Sequence, residues 1–471
     1  VSGTLLALVS AGFILLAVWL SWRAAQTART PQGAVGWVVF LLTTPYIAVL
    51  LYGLFGPHRY KRRTKERRAS RLLFDDKRPD RGEVRAPCPS CDRIDRGPFE
   101  RIAGMPFVPG NRAELLIDGQ ATFDALFAAI DRAERYLLVQ FYTLRDDGLG
   151  TEMIDRLIAA ADRGVWVMLH TDALGSNGLR RKTLRRMERA GIHGIAQARN
   201  RPIARRIQIN FRNHRKTVIV DGREAYLGGL NVGDDYMGRN PAFGAWRDSF
   251  VRLTGPAVRQ LQLVFAEDWH WLTGTALRGD LDWSTPAPTG TTEALIVGTG
   301  PSDGEDGAAA VFFAAIAAAE TRIWISTPYF VPDMALMAAL KHAAARGCEV
   351  RILVPDTIDH YLPWLAAFAY FDELREAGVE VWRYTAGFLH QKAMLIDDCL
   401  SGIGSANFDN RSFRLNFETM ALFLDTAVAT EVEEMLRADF ARAAPLEKSL
   451  DQQPLGIRIG APLARLFAPV L

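Results

Sequence analysis

The sequence predicts an α/β protein: a duplicated sandwich with mixed sheets and one site at the pseudo-two-fold interface, preceded by a two-helix transmembrane hairpin. Three observations predict it. Two uncharged apolar stretches open the chain. Strand-like and helix-like patterns alternate through the remainder. One motif-bearing segment occurs twice, in register.

The apolar stretches run from about Leu5 to Trp22 (LLALVSAGFILLAVWLSW) and from about Ala34 to Phe55 (AVGWVVFLLTTPYIAVLLYGLF). Each has about 20 residues, enough for a helix to cross roughly 30 Å of hydrocarbon. Pro45 is tolerable in lipid, where neighbouring groups satisfy the freed carbonyl. Trp22, Trp37 and Tyr52 lie near the ends, where interfacial aromatics belong. A cleaved signal peptide is the competing reading of the first stretch. It lacks a charged start, and a second span follows closely. Residues 1–58 are therefore assigned to the hairpin.

Only Arg23 and Arg29 lie between the spans, whereas Arg59, Lys61, Arg62, Arg63, Lys65, Arg67, Arg68 and Arg71 follow the second. That excess of positive charge predicts a cytoplasmic location for everything after the hairpin. The cluster attracts anionic lipid at about 1 kcal/mol per basic residue. Nucleic acid is the rival partner for such a run, and its place directly after a span favours lipid. The Pro- and Gly-containing stretch up to residue 110 reads as a linker, so 59–110 form a basic juxtamembrane segment and linker.

A net charge of +3 gives the whole chain no nucleic-acid character. Four cysteines do not make a disulfide framework at this length. Cys88 and Cys91 form a CxxC without partner ligands at metal-binding spacing and read as two free thiols in a loop. Cys348 and Cys399 sit in apolar runs and read as core residues.

From Ala113 the alternation begins. YLLVQFY (Tyr136 to Tyr142) is a buried strand, Gly150 to Ala161 a helix with Met153, Ile154, Leu157 and Ile158 on one face, and VWVMLH a second strand. RIWIS, the helix Met334 to Ala345 and CEVRILV repeat that order. The predicted halves are 111–275 and 276–450. The tail 451–471 is apolar with sparse Arg, fit either to lie on the membrane interface or to pack on the domain, and Pro462 and Pro469 weaken a long helix there.

The repeat sharpens between NHRKTVIVDGREAYLGGLN and LHQKAMLIDDCLSGIGSAN. His214, Lys216, Asp221, Gly228 and Asn231 match His390, Lys392, Asp397, Gly404 and Asn407. In extended chain, residues i and i+2 face one way, so each His and Lys share a face. A lone His-x-Lys in a strand is ordinarily structural; two full copies point to catalysis. Two imidazoles, two ammonium groups and two amides suit a phosphodiester. Cations stabilise charge on phosphoryl oxygens, one imidazole attacks phosphorus and the other protonates the leaving oxygen. The scheme needs no metal or cofactor, and no acidic cluster with metal-binding character is present. His58, His170, His193, His270, His342 and His360 lack such a context and read as surface or core residues.

The duplicated HxKxxxxD pattern resembles the signature of the phospholipase D superfamily, and the resemblance covers nearly the whole chain. RNHRKTVIVDG, YLGGLNVGDDY, WRDSFVRLTGPAV, STPYFVPD, GFLHQKAMLIDD and GSANFDNRSFRLNFE resemble, more tightly, bacterial cardiolipin synthases, as does the hairpin. The resemblance implies transfer of a phosphatidyl group between two phosphatidylglycerol molecules at a bacterial inner membrane. His214 would be the nucleophile and His390 the acid and base; the pseudo-symmetry leaves the reverse assignment open. Lys216, Lys392, Asn231 and Asn407 would hold the phosphate, with Gly229 and Ser405 beside it. Asp221 and Asp397 complete the catalytic motifs by supporting them. Glu418 and Asp248 would orient the histidines, ordinary ion pairing being the alternative. Oligomeric state, a homodimer included, is left open. Rival activities are lipid hydrolysis, phosphatidylserine synthesis from CDP-diacylglycerol, and nuclease action, which two uncharged spans disfavour. A non-enzymatic membrane scaffold is disfavoured by the two intact motifs.

Overall fold

A computed structural model describes residues 2–28, 31–56, 67–79, 91–194, 212–301 and 307–471. Arg29, His58, Arg59, Lys61, Arg62, Arg63, Lys65 and Cys88, named above, lie outside the described residues. The chain forms two compact units, Val1–Leu72 and Leu73–Leu471.

The first unit contains α1 (Ser2–Thr27), α2 (Pro31–Thr43) and α3 (Pro45–Phe55), which pack on one another around Ala17, Ala24, Leu41, Ala48 and Tyr52. Small residues at that seam let the backbones approach closely. Among the described residues, α1 is one helix long and apolar enough to cross a membrane. The second predicted span is not one continuous helix. It breaks at Thr44, which takes φ −134° and ψ 59° ahead of Pro45. A proline ring excludes helical geometry from the residue before it.

In the second unit the strands of the earlier half are β1 (Val108–Ile117), β2 (Tyr136–Phe141), β3 (Trp166–Thr171), β4 (Arg212–Asn213), β5 (Thr217–Val220), β6 (Glu224–Gly228), β7 (Trp246–Arg247) and β8 (Ser249–Thr254). Those of the later half are β9 (Thr292–Thr299), β10 (Arg322–Ser326), β11 (Phe330–Val331), β12 (Glu349–Pro355), β13 (Glu380–Tyr384), β14 (Phe388–Leu389), β15 (Ala393–Ile396), β16 (Leu400–Gly404), β17 (Phe408–Asp409), β18 (Asn416–Leu424) and β19 (Ala443–Pro445). Most of them join one mixed sheet in the order β19-β13-β12-β10-β15-β16-β18-β9-β1-β8-β6-β5-β2-β3.

Outward from the antiparallel β1–β9 contact, both arms use the same sequence of pairings. One arm runs β1-β8-β6-β5-β2 antiparallel and then β2-β3 parallel. The other runs β9-β18-β16-β15-β10 antiparallel and then β10-β12 parallel. Strand periodicity splits the core. Leu137, Val139, Val218 and Val220 face one apolar cluster with the helices Asp118–Asp131 and Gly148–Asp162, whereas Leu138 and Ile219 face another with the helix Val258–Thr273.

The stretch predicted as linker contains the helix Gly97–Ala103, whose Phe99 packs edge-on against Phe107 in the core. Cys91 is also buried, and the structure pairs it with Cys399 across a Cα–Cα distance of 5.5 Å. This corrects the expectation of a free thiol at Cys91 and of an unbridged core residue at Cys399. The partners lie 308 residues apart, so nothing local in the sequence signals the pairing. Cys348 is a buried free thiol, as expected.

Candidate active site

Each motif begins where a short segment of one half pairs with a segment of the other. β4, just before His214, pairs in parallel with the start of β18, and the His214 N–H donates to the Phe417 carbonyl at 2.9 Å. β14, just before His390, pairs in parallel with β7, and the His390 N–H donates to the Arg247 carbonyl at 2.8 Å. The residue after each accepting carbonyl is a carboxylate, Glu418 or Asp248. Each half thereby holds the other half's histidine. His214 Nδ1 lies 3.0 Å from both Glu418 oxygens, and His390 Nδ1 lies 2.7 Å from Asp248 Oδ2. Both carboxylates are fully buried. A carboxylate on Nδ1 fixes the tautomer that leaves Nε2 with its lone pair outward.

The rest of the motif sorts by backbone alternation. Lys216 donates to the His214 carbonyl at 2.5 Å, and Lys392 donates to the His390 carbonyl. The intervening residue points the other way: Arg215 pairs with buried Asp268, and Gln391 donates to buried Asp439 at 3.0 Å.

Asp221 and Asp397, grouped above with the catalytic residues, lie at the far end of β5 and β15. Asp221 accepts from the N–H groups of Glu134, Arg135 and Tyr136, and Asp397 from those of Glu320, Thr321 and Arg322. Each thus anchors the start of the neighbouring strand. Both have positive φ, 54° and 50°, a region Asp enters more readily than most residues.

Gly229 and Ser405 sit against the carboxylates. Ser405 Oγ donates to Glu418 Oε2 at 2.5 Å. A Cβ on Gly229 would stand 2.1 Å from Asp248 Oδ1, so only glycine leaves room for that carboxylate. The Gly-Gly and Gly-Ser difference between the copies is therefore matched to the different acids behind them.

Asn231 and Asn407 line the same cavity of about 690 Å³ as His214 and His390. Asn231 accepts from the Thr143 N–H at 3.0 Å and donates to Tyr236 Oη at 3.1 Å. Tyr142 packs edge-on against His214 at 5.2 Å, while Trp246 lies 5.2 Å from His390.

Burial dominates the electrostatics. It lowers both imidazoles, His390 well below its ordinary value, against the pull of the Glu418 charge on His214 and with the push of Lys392 on His390. It brings Lys216 down to about 7 and Lys392 to about 8. It pushes Asp248 up to about 6, although Lys392 opposes it. On Glu418 burial pushes upward too, but His214 and Lys216 more than offset it and the carboxyl ends below its ordinary value. The two pairs thus differ: Glu418 is held below its ordinary value by His214 and Lys216, whereas burial pushes Asp248, beside His390, upward.

Three supporting residues carry no motif label. Asp118 accepts from the Asp248 N–H at 3.1 Å and from Arg247 at 3.2 Å. Asp268 binds Asn213 and Gln140 besides Arg215, and Asp439 binds Arg247 at 2.7 Å. A signal for the last two does exist. In each half an Asp followed by an aromatic residue, Asp268-Trp269 and Asp439-Phe440, lies in the helix that comes after the carboxylate.

A family model described as cardiolipin synthase, PLD-like domain, matches residues 126–269 and 312–440. The chain belongs to this family. It is 41% identical to cardiolipin synthase A of Pseudomonas syringae pv. syringae (strain B728a), over 98% of this chain and 97% of that protein. It is 40% identical to cardiolipin synthase A of Pseudomonas aeruginosa (strain LESB58), over 100% of this chain and 97% of that protein. A solved phosphatidylserine synthase from Haemophilus influenzae Rd KW20 shares the fold, with a TM-score of 0.62 at 15% identity, covering 80% of this chain and 99% of that one. Both motifs fall within the two family matches, His214 in the first and His390 in the second.

Proposed function

We propose that this chain is a phosphatidyltransferase that makes cardiolipin and glycerol from two phosphatidylglycerol molecules. The observation that carries the reading is the crossed pairing of His214 with Glu418 and His390 with Asp248 on one cavity. Family membership supplies the lipid class.

His214 Nε2 attacks the phosphorus of the donor, Glu418 stabilising the imidazolium character that develops. The P–O bond to glycerol breaks, and the departing alkoxide takes a proton from His390. The phosphatidyl group is then held on His214. The head-group hydroxyl of a second phosphatidylglycerol gives its proton to His390 while its oxygen attacks phosphorus. The P–N bond breaks, and cardiolipin leaves. Lys216, Lys392, Asn231 and Asn407 hold the phosphoryl oxygens. The entering phosphodiester supplies the counter-charge that burial withholds, raising His390 and both lysines toward their charged forms. The carboxyl of Glu418, held low by its neighbours, favours His214 as nucleophile and leaves His390, oriented by Asp248, as the acid.

In the same reading the two halves are copies related by a pseudo-two-fold axis, α1 spans the bilayer, and α2 with α3 forms the returning arm of a hairpin. The catalytic unit then lies on the cytoplasmic side of the inner membrane, the side favoured by the basic run. Reducing conditions there would hold Cys91 and Cys399 as thiols.

Detergent-purified chain incubated with phosphatidylglycerol alone tests the reaction. Cardiolipin with equimolar glycerol is expected, and phosphatidic acid would contradict it. Added CDP-diacylglycerol and serine are expected to give no phosphatidylserine.

A further inference from the structure

The helix Leu455–Arg465 and the short turn Ala468–Val470 dock on the catalytic unit with one face only. Ala461 and Ala464 are buried there, and Gly460 lies so close to Leu365 of the helix Tyr361–Glu376 that a Cβ would stand 2.7 Å from it. Leu455, Ile459, Leu463, Leu466 and Phe467 point away from that contact and are exposed, Leu466 at 74% and Leu455 at 65%. At about 100° per residue these five positions fall within one arc of roughly 120°. Arg458 lies beside the arc, Arg465 stacks on the Tyr370 ring of the catalytic unit, and no acidic residue occurs between Pro454 and Leu471.

The face is continuous with the mouth of the cavity. Val470 and Leu471 line the same cavity as His214 and His390, and so do Tyr361 and Leu362, which are themselves exposed. Arg411, another lining residue, donates to the Val470 carbonyl at 3.3 Å. A soluble protein rarely leaves such a row of large apolar side chains facing water.

We propose that this face is a lipid-docking surface that lies in the headgroup region of the bilayer and seats the cavity mouth on it. A helix with one apolar arc and a flanking basic edge lies in the plane of an anionic interface. The chain also carries its own span-length helix in α1, which keeps a bilayer within reach. Docking spares each lipid from crossing water: its head group enters the cavity while its acyl chains remain in hydrocarbon. The bilayer as occupant rests on the lipid-substrate reading; the exposed face does not.

The full chain carrying Ile459→Ser, Leu463→Ser and Leu466→Ser tests this, beside Leu463→Trp, which enlarges the apolar face. Turnover is measured in proteoliposomes of long-chain phosphatidylglycerol and, separately, on dihexanoyl phosphatidylglycerol dispersed as monomers. The triple variant is expected to lose about tenfold or more in vesicles and to stay within about twofold of the parent on monomers, with Leu463→Trp unimpaired in both. An unchanged vesicle rate overturns the proposal. Equal loss in both assays overturns it too, because the face would then serve folding. Dissociation of a parental oligomer with the vesicle rate retained would assign the face to a second copy instead. If the parent yields phosphatidic acid, the transfer reading fails while the vesicle-to-monomer ratio still decides docking.

Discussion

The two histidines sit in different settings although their motifs match. Glu418 is braced by Ser405 and by Asn416 Nδ2 at 3.1 Å, whereas Asp248 accepts from its neighbour's N–H, that of Ser249, at 2.8 Å and fills the space Gly229 leaves. Glu418→Gln and Asp248→Asn should each lower kcat by about 10²- to 10⁴-fold, because an amide no longer fixes the productive tautomer. Gly229→Ala should cost far more than Ser405→Ala, since it displaces Asp248 whereas the serine change removes one hydrogen bond. Steady-state kinetics on the four variants checks the order. The lysines set the alkaline limit. With Lys216 near 7 and Lys392 near 8, raising pH strips the ammonium charges that bind phosphate. kcat/KM should therefore fall as pH rises through about 7 to 8, with KM carrying most of the change. On the acid side it falls as His214 gains a proton, below the ordinary imidazole value. A profile flat to pH 9 would contradict this assignment.

At the scale of elements, Asp221 and Asp397 tie strand ends together. Burial pushes Asp397 up, but the backbone donors of Arg322, Glu320 and Thr321 hold it below the ordinary carboxylate value. A carboxylate held low in the folded state adds stability above its unfolded pKa and loses it as pH falls through the folded one. Asp221→Ala and Asp397→Ala should each cost about 3 kcal/mol of stability while the folded fraction keeps its specific activity. Thermal denaturation beside active-site titration separates that outcome from a catalytic role. The motif was legible in the sequence because His214 and Lys216 are spaced for one face of extended chain, and the repeat made a chance match implausible. The crossing was not legible. It depends on β4 meeting β18 and β14 meeting β7, pairings of two residues each that leave no periodic trace. The break at Thr44 escaped for a related reason: apolar composition measures length in lipid and is silent about one backbone angle, although Pro45 marked the spot.

Across the whole molecule, the β1–β9 contact fuses two arms of like topology, and the active groups gather where each arm completes the other. Each histidine's carboxylate is supplied by the other half, so the proposed mechanism needs both halves. The Cys91–Cys399 pair ties the segment entering this unit to the far arm of the sheet. If oxidised, it should add about 2–5 kcal/mol by restricting the unfolded chain. Dithiothreitol should then lower the Tm of the parent and leave that of Cys399→Ser unmoved. The central claim is that one phosphorus passes between His214 and the two oxygens that His390 serves. Its most direct measurement is mass spectrometry of peptides from enzyme mixed briefly with phosphatidylglycerol and quenched in alkali, which preserves the P–N bond. A phosphatidyl adduct on the peptide containing His214, absent from His214→Ala, is the predicted result. An adduct on the peptide containing His390, or undiminished cardiolipin synthesis by His214→Ala, would contradict it.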